Sequence, residues 1–192
     1  FEVIRKASYR RSCPEPDAEG VGKPTWRPRR AWGPRTEALW AAFIESLFDF
    51  PASEDLTWTS LQPLLEDPAR NLLFNHLGRD EDRRLHLRPD CADLPYFLRG
   101  YFAWKMELPF AFRKCGRGSP GDPPGCSAAM SQGMTCEGRD DIAGFDRFIR
   151  RHVGGAVHSG HGRTAPSYDV SDYYPVPLTR EALRPGTIFA DP

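Results

Sequence analysis

The sequence predicts an α+β domain in which helices predominate over strands. Apolar side chains recur at spacings of three and four residues in several stretches, as on one face of a helix, whereas only a few short runs have strand character. The chain has 192 residues, of which 40% are hydrophobic and 12% aromatic, enough for one domain with a substantial core. Its 19 prolines and 17 glycines indicate long irregular connections between the elements.

Charge and hydropathy limit the classes of function that need to be considered. The 26 basic and 26 acidic residues give a formal net charge of zero, so there is no general electrostatic attraction to nucleic acid or to an anionic membrane. No apolar run approaches the roughly 18 residues of a membrane-spanning helix. We therefore expect no nucleic-acid partner and no membrane span.

The first 35 residues form an arm that differs in composition from the rest. Residues 1–35 are rich in proline and arginine, lack steady periodicity and begin with Phe1 rather than Met, which indicates a processed or truncated N-terminus. We predict an extended arm lying on a folded domain of residues 36–192. Such a basic arm could bind anionic polymers, although a solvated loop is the simpler interpretation.

Three helical segments are predicted before residue 80. Thr36 is a suitable cap for a helix with one apolar face, and residues 60–65 read as a short helical turn. Asp67 and Pro68 supply a cap and a first-turn proline for a third helix, which Gly78 would end.

A fourth helix begins near Cys91 and is the most informative part of the chain. Asp90 and Cys91 precede an amphipathic stretch with apolar residues at helical spacing, namely Leu94, Phe97, Leu98, Tyr101, Phe102 and Trp104. The unpaired N–H groups of a first helical turn favour a thiolate by roughly 0.3–1 kcal/mol and can hold a developing oxyanion. Cys91 is therefore the candidate nucleophile. Pro95 predicts a bent or tightened start to the helix.

Strand signals are sparse. Residues 156–157 and 187–189 are the clearest candidates, and residues 84–87 are a weaker third. Isolated strands expose unpaired backbone groups, so these runs need partners. The sequence predicts that more sheet comes from outside this chain.

Histidines and aspartates in the last third of the chain are further candidates. His152, His158 and His161 cluster among glycines, and any one of them could serve as an in-chain base, although a flexible surface loop is the simpler interpretation. Asp169 and Asp172 could bind a cation or a sugar, and a turn is the simpler alternative.

The five cysteines divide into two pairs and one remaining thiol. Cys115 and Cys126 flank a loop rich in glycine and proline, which a disulfide would stabilise by about 2–4 kcal/mol. Cys13 and Cys136 form a weaker second pair, and Cys91 is then unpaired. The alternative is five reduced, buried cysteines; a zinc site is disfavoured because no Cys-x-x-Cys occurs. Disulfides predict a secreted, periplasmic or cell-surface protein.

Two segments resemble a known enzyme family. Asp90-Cys91-x-x-Leu94, the aromatic helix and the Leu-Pro pair at Leu108 resemble the nucleophile segment of NlpC-type papain-like cysteine peptidases. The family has Ser-Gly where this chain has Ala92 and Asp93. Residues 183–189, Leu-Arg-Pro-Gly-Thr-Ile-Phe, resemble the family's lead into its first sheet strand.

The resemblance implies a papain-like fold with N-terminal helices packed on a small antiparallel sheet. It also implies that Cys91 attacks an amide bond in the peptide stems of bacterial cell walls, with no cofactor. In the family the catalytic histidine follows the Pro-Gly strand, whereas this sequence ends at Pro192. We therefore expect the sheet to be incomplete here, with a continuation or a second polypeptide completing it and supplying the base. A long loop insertion at about residues 113–170 is expected to shape the substrate groove.

Two other classes of function remain open. The chain could be a non-catalytic structural or interaction subunit of a secreted or surface assembly, which its aromatic residues and proline-rich ends would suit. It could also be a transglutaminase-like acyl transferase, which shares a cysteine at a helix start.

Overall fold

A computed structural model describes residues 24–119, 125–133, 141–156, 172 and 175–188. The elements in these ranges are α1 (Pro34–Leu47), α2 (Gln62–Leu65), a 3-10 helix (Asp82–Arg84), α3 (Leu94–Lys105), β1 (Ala111–Cys115), β2 (Cys126–Ser131), α4 (Ile142–Phe148) and a π-helix (Ile149–Val153). Helices accompany one two-stranded antiparallel sheet, so the α+β class is confirmed. None of the helices within these ranges has the length and apolar character needed to cross a membrane.

Helix α3 forms the centre of the molecule. Nine of its residues are buried, namely Tyr96, Phe97, Leu98, Gly100, Tyr101, Phe102, Ala103, Trp104 and Lys105. Trp104 stacks on Phe145 of α4 at a centroid distance of 4.2 Å, and Phe102 contacts Trp40 of α1 at 5.4 Å. Fully burying each large apolar side chain contributes roughly 1.5–3 kcal/mol. The helix predicted after Cys91 from its apolar spacing is thus confirmed.

A buried charged network anchors the last turn of α3. The Lys105 ammonium donates to the carboxylates of Glu81 and Asp82, with 2.9 Å to Asp82 Oδ2, and the Tyr101 hydroxyl donates to Asp82 Oδ1 at 2.5 Å. Burial alone would raise the pKa of Glu81, but the bonds from Lys105 and from backbone amides lower it below its ordinary value. Burial and the charge of Asp82 raise the pKa of Tyr101. The network holds the chain before α3 against the core.

The helix predicted from Asp67 to Gly78 is wrong, because this stretch forms successive turns. The side chain of Asn71 accepts the amide of Leu73 at 2.9 Å, and Asn75 has a φ of 48°. Side-chain bonds of this kind compete with the i→i+4 ladder of a helix. The Asn71 amide also donates to Tyr101 at 2.9 Å, so the turns serve the buried network.

Helix α1 begins three residues earlier than predicted. Gly33 is its cap and Pro34 its first residue, whereas Thr36 bonds back to the carbonyl of Ala31 at 3.4 Å. Proline suits the first helical position because the amide it lacks would be unpaired there anyway. The residues that α1 buries in the core are Trp40, Phe43 and Leu47.

The sheet lies elsewhere than predicted. Strand β1 pairs with β2, with Ala111 opposite Ser131 and Cys115 opposite Cys126. Among the described residues, 85–87, 156 and 187–188 belong to no strand; Val157 and Phe189 lie outside the description. The range expected as a loop insertion, about 113–170, contains β2, most of β1, α4 and the π-helix.

The described end of the N-terminal arm packs into the core. Trp26 is buried, and its Nε1 donates to the carbonyl of Leu108 at 2.8 Å. The amide of Thr25 donates to the carbonyl of Gln132 at 3.1 Å, which joins the arm to the turn after β2. The arm therefore lies on the domain as expected, and a fully solvated loop is excluded for this part of it.

Candidate functional site

Cys91 lies at the N-terminal end of α3. It is exposed and is the free cysteine of the described residues. Residues 91–93 form a turn directly before the helix, and the carbonyl of Asp90 accepts the amide of Leu94 at 3.0 Å, which is a helical i→i+4 bond. Pro95 is the second residue of α3. The tightened start expected from Pro95 thus places the thiol one turn ahead of the regular helix.

Asp90 takes up two of the first-turn amides. Its Oδ1 accepts the N–H groups of Ala92 and Asp93, each at 2.9 Å. Donors bonded to a carboxylate cannot hold an oxyanion, so the expectation that amides following Cys91 serve this purpose is wrong. The amide of Cys91 itself is the local donor that Asp90 does not occupy.

An open cleft of about 480 Å³ adjoins this turn. It is lined by His86, Arg88, Asp93, Phe97, Arg150 and Gly154. Asp146 of α4 connects two of its walls, since it accepts the amide of His86 at 3.2 Å and the Nε of Arg150 at 2.8 Å. Cys91 is two residues from Asp93, so their Cα atoms are at most about 7 Å apart. Cys91 is thus close in the chain to one wall of the cleft, but it is not among the residues that line it.

Asp93 is the unusual group of the cleft. The residue is only 9% exposed, and its Oδ1 is buried without a hydrogen-bond partner. Burial, followed by the negative charge of Asp90, raises the pKa of Asp93 to about 6, although a backbone bond from the Asp90 segment partly opposes this. A buried acceptor left unpaired costs about 1–3 kcal/mol. Gln62 Oε1 is also buried without a partner among the described residues, but Asp93 differs from Gln62 in being ionisable and in lining the cleft.

Two of the other candidate site residues, His152 and Asp172, lie in the described part of the chain. His152 is in the π-helix, with its ring centroid 6.1 Å from that of Phe148. Asp172 accepts the Tyr96 hydroxyl at 3.2 Å and the amide of Arg113 at 2.8 Å, so its carboxylate bonds to both α3 and β1. Five candidates lie outside the described residues, namely Cys13, Cys136, His158, His161 and Asp169. Within the described part of the chain, no cluster of three potential metal-ligating side chains occurs.

Cys115 and Cys126 form a disulfide between β1 and β2, the pair that the flanking loop indicated. Their Cα atoms are 4.1 Å apart, as opposed residues in neighbouring strands. The alternative of five reduced cysteines is therefore wrong.

The sequence did not identify most of the cleft. His86 was considered only as part of a weak strand, and Arg88 and Arg150 were not singled out. Asp93 carried a usable signal, since it stands in the nucleophile segment where the NlpC pattern has glycine. Arg150 gives no such signal in the sequence, because only the tertiary fold brings the π-helix to the start of α3.

Comparison of the chain with family models, with characterised proteins and with solved structures finds no match.

Proposed function

We propose that this chain is a cysteine hydrolase of the papain-like NlpC type, with Cys91 as the nucleophile that attacks an amide bond. One observation carries the proposal: an exposed, unpaired thiol lies at the N-terminal end of a buried helix, two residues before Asp93 in the wall of an open cleft. Its exposure admits a substrate. Helix α3 packed in the core gives the thiol a rigid support.

The reaction has two steps. The Cys91 thiolate adds to the amide carbonyl carbon to form a C–S bond, and the carbonyl oxygen becomes an oxyanion that the Cys91 amide can stabilise. Collapse breaks the C–N bond, and the leaving amine takes the proton that the base removed from the thiol. Water then hydrolyses the thioester, which yields a carboxylic acid and restores the thiol. No cofactor enters this scheme.

The base is proposed to be a histidine brought by a continuation or by a second polypeptide. The turn that precedes Thr187 supports this proposal. The amide of Thr187 donates to the carbonyl of Arg184 at 2.9 Å, and Gly186 lies against the indole of Trp40. Because this turn packs on α1, the position from which the chain continues after it is fixed. A segment pairing with residues 187–189 would complete the sheet and bring its histidine to Cys91.

His86 is the in-chain alternative for the base. It lines the cleft beside Cys91, and its side chain is exposed. The substitution His86→Gln distinguishes the two possibilities, because it abolishes hydrolysis only if His86 moves the proton. His76→Gln is the matched control, since His76 is also exposed and lies outside the cleft lining.

Peptide stems of bacterial cell walls are the proposed substrates, through the resemblance of residues 90–94 and 183–189 to the NlpC pattern. The disulfide between Cys115 and Cys126 supports a secreted, periplasmic or surface location, where such substrates occur.

The decisive experiment is hydrolysis of wall-derived peptides by the full-length gene product and by its Cys91→Ala variant. We expect wild-type cleavage, no cleavage by the variant and the same circular dichroism spectrum for both, because Cys91 is exposed and its removal opens no cavity. Iodoacetamide labelling with mass mapping should find Cys91 modified without prior reduction. Equal activity of the two proteins would exclude Cys91 as the nucleophile.

A non-catalytic interaction subunit is the second candidate, and an exposed apolar surface favours it. Trp58 and Leu56 are each 38% exposed, and Trp58 packs on Phe50 at a centroid distance of 5.4 Å. Exposed apolar groups are common at protein interfaces. The hydrolysis assay separates the candidates, because an interaction subunit cleaves no peptide with or without Cys91.

A further inference from the structure

One oxygen of the buried Asp93 carboxylate, Oδ1, lacks a donor among the described residues. The side chain is more than nine-tenths buried, lines the cleft, and has no partner for Oδ1 among the described residues. The ligand group that best compensates such an acceptor is a cationic donor, because a charge-assisted hydrogen bond contributes about 1.5–3 kcal/mol. An ammonium group bound at Asp93 would supply it.

The cleft also offers a cation for a ligand carboxylate. Arg88 is exposed and forms no ion pair within the described part of the chain. Arg150 differs, because its Nε and one terminal nitrogen already donate to Asp146. The free fork of Arg88 matches a carboxylate in geometry and charge.

Charge balance selects between possible ligands. Arg150 and Asp146 neutralise each other, which leaves one positive group at Arg88 and one negative group at Asp93. A purely anionic ligand would leave Asp93 without a donor, and a purely cationic ligand would leave Arg88 without a counterion. A ligand with one group of each sign satisfies both.

Size and polarity agree with a small zwitterion. A cavity of about 480 Å³ is within the usual range for small-molecule sites of about 300–1,000 Å³. Phe97 gives the cleft an apolar wall, and the space beside it is narrowed at Gly154, where an added Cβ would lie 3.2 Å from the Phe97 ring. One amino-acid residue with its side chain on Phe97 would fit these dimensions.

We propose that this cleft binds the zwitterionic head group of an amino acid, or of a peptide residue that keeps both groups, with the ammonium on Asp93 and the carboxylate on Arg88. The inference deepens the proposed function, and rests on it only in one respect: a bound head group would select which amide reaches Cys91. Binding itself does not require the thiol.

Binding of leucine and of its two single-charge analogues to the full-length protein tests the proposal. The analogues are 4-methylpentanoate, which lacks the ammonium, and 3-methylbutylamine, which lacks the carboxylate. At neutral pH, leucine at millimolar concentrations should shift the amide signals of the residues lining the cleft in ¹H–¹⁵N spectra. Each analogue should bind at least about tenfold more weakly, the equivalent of one lost charge-assisted bond. Equal affinity for all three ligands, or no leucine binding, overturns the proposal.

Variants assign the two groups. Asp93→Asn should weaken leucine binding about tenfold or more without weakening 4-methylpentanoate binding, and Arg88→Gln should weaken both carboxylates. Arg79→Gln is the matched control, as an exposed arginine outside the cleft lining. Arg88 is exposed, so its replacement leaves the fold intact. Cys91→Ala should bind leucine normally even if it is inactive, and unchanged binding in both Asp93→Asn and Arg88→Gln would refute the assignment.

Discussion

Replacing Asp93 with asparagine should stabilise the protein at neutral pH and leave its stability unchanged in acid. The raised pKa means that the folded protein binds the Asp93 proton more tightly than the unfolded chain does. Ionisation of Asp93 therefore opposes folding. The protonated Asp93 side chain stabilises the fold below about pH 4. This contribution to the free energy of unfolding declines as the pH rises and is lost above about pH 6. Asparagine cannot ionise, so the free energy of unfolding of the variant does not decline in this way as the pH rises.

The expected magnitude follows from the pKa. A rise from 3.8 to about 6 corresponds to about 3 kcal/mol of preference for the protonated form, since one pH unit is equivalent to about 1.4 kcal/mol. This is an upper limit for the gain, because the asparagine amide also needs partners in the same buried position. The charged or polar neighbours of Asp93 are the same in both proteins, namely Asp90, His86, Arg88 and Arg150.

Urea unfolding followed by tryptophan fluorescence between about pH 4 and pH 8 measures the difference. We expect the free energies of unfolding of the variant and the wild type to converge at the acid end and to diverge through pH 6. Asp55→Asn is the control, since Asp55 is exposed and lies outside the cleft lining. A difference that is constant with pH, or that favours the wild type at pH 7.5, would refute the account of Asp93 as a buried, uncompensated carboxylate.

Four further substitutions test the fold that supports the site. Gly186→Ala should destabilise the Pro-Gly turn by about 1–3 kcal/mol, because Gly186 has a φ of 92° and its added Cβ would lie 2.5 Å from Trp40 Nε1. Gly78→Ala should cost only about 1 kcal/mol in urea unfolding, since its φ is 67° but the space around it is open. Lys105→Met should cost about 3–5 kcal/mol in the same assay, because it leaves two buried carboxylates without their cation. Cys115→Ser should lower the free energy of unfolding by about 2–4 kcal/mol, and a reducing agent should then have no further effect on the variant.

The parts of the fold predicted from sequence are those determined by local interactions. The apolar residues after Cys91 recur at helical spacing within one continuous helix, α3. Asp90 accepts the amides of the residues two and three positions ahead of it. The disulfide was predicted because Cys115 and Cys126 flank a loop with little means of ordering itself. Local bonds also form the helical turn of residues 179–183, where the amide of Ala182 donates to Thr179 Oγ1 at 3.3 Å.

The parts that were missed depend on distant partners. Strands β1 and β2 contain few β-branched residues, so neither has a strong strand signal of its own, and their mutual pairing decides the structure. No regular helix forms after Asp67, because groups in this stretch bond to α3 instead. The side chain of Asn71 donates to the Tyr101 hydroxyl, and the carbonyl of Leu73 accepts from Lys105. Here tertiary contacts outweigh local propensity.

The cleft illustrates why site prediction was incomplete even where the thiol was found. Cys91 was identified from its neighbours in sequence, but the cleft depends on Asp146, which bonds to the amide of His86 sixty residues away and to Arg150. Elsewhere in the described core the structure compensates its buried charges, as Lys105 does for Glu81 and Asp82. Asp93 is the exception: it lies two residues from Cys91, and its Oδ1 has no donor among the described residues. A protein that pairs its other buried carboxylates so completely retains an unpaired one at a cost in stability, and a ligand donor at that position would remove the cost.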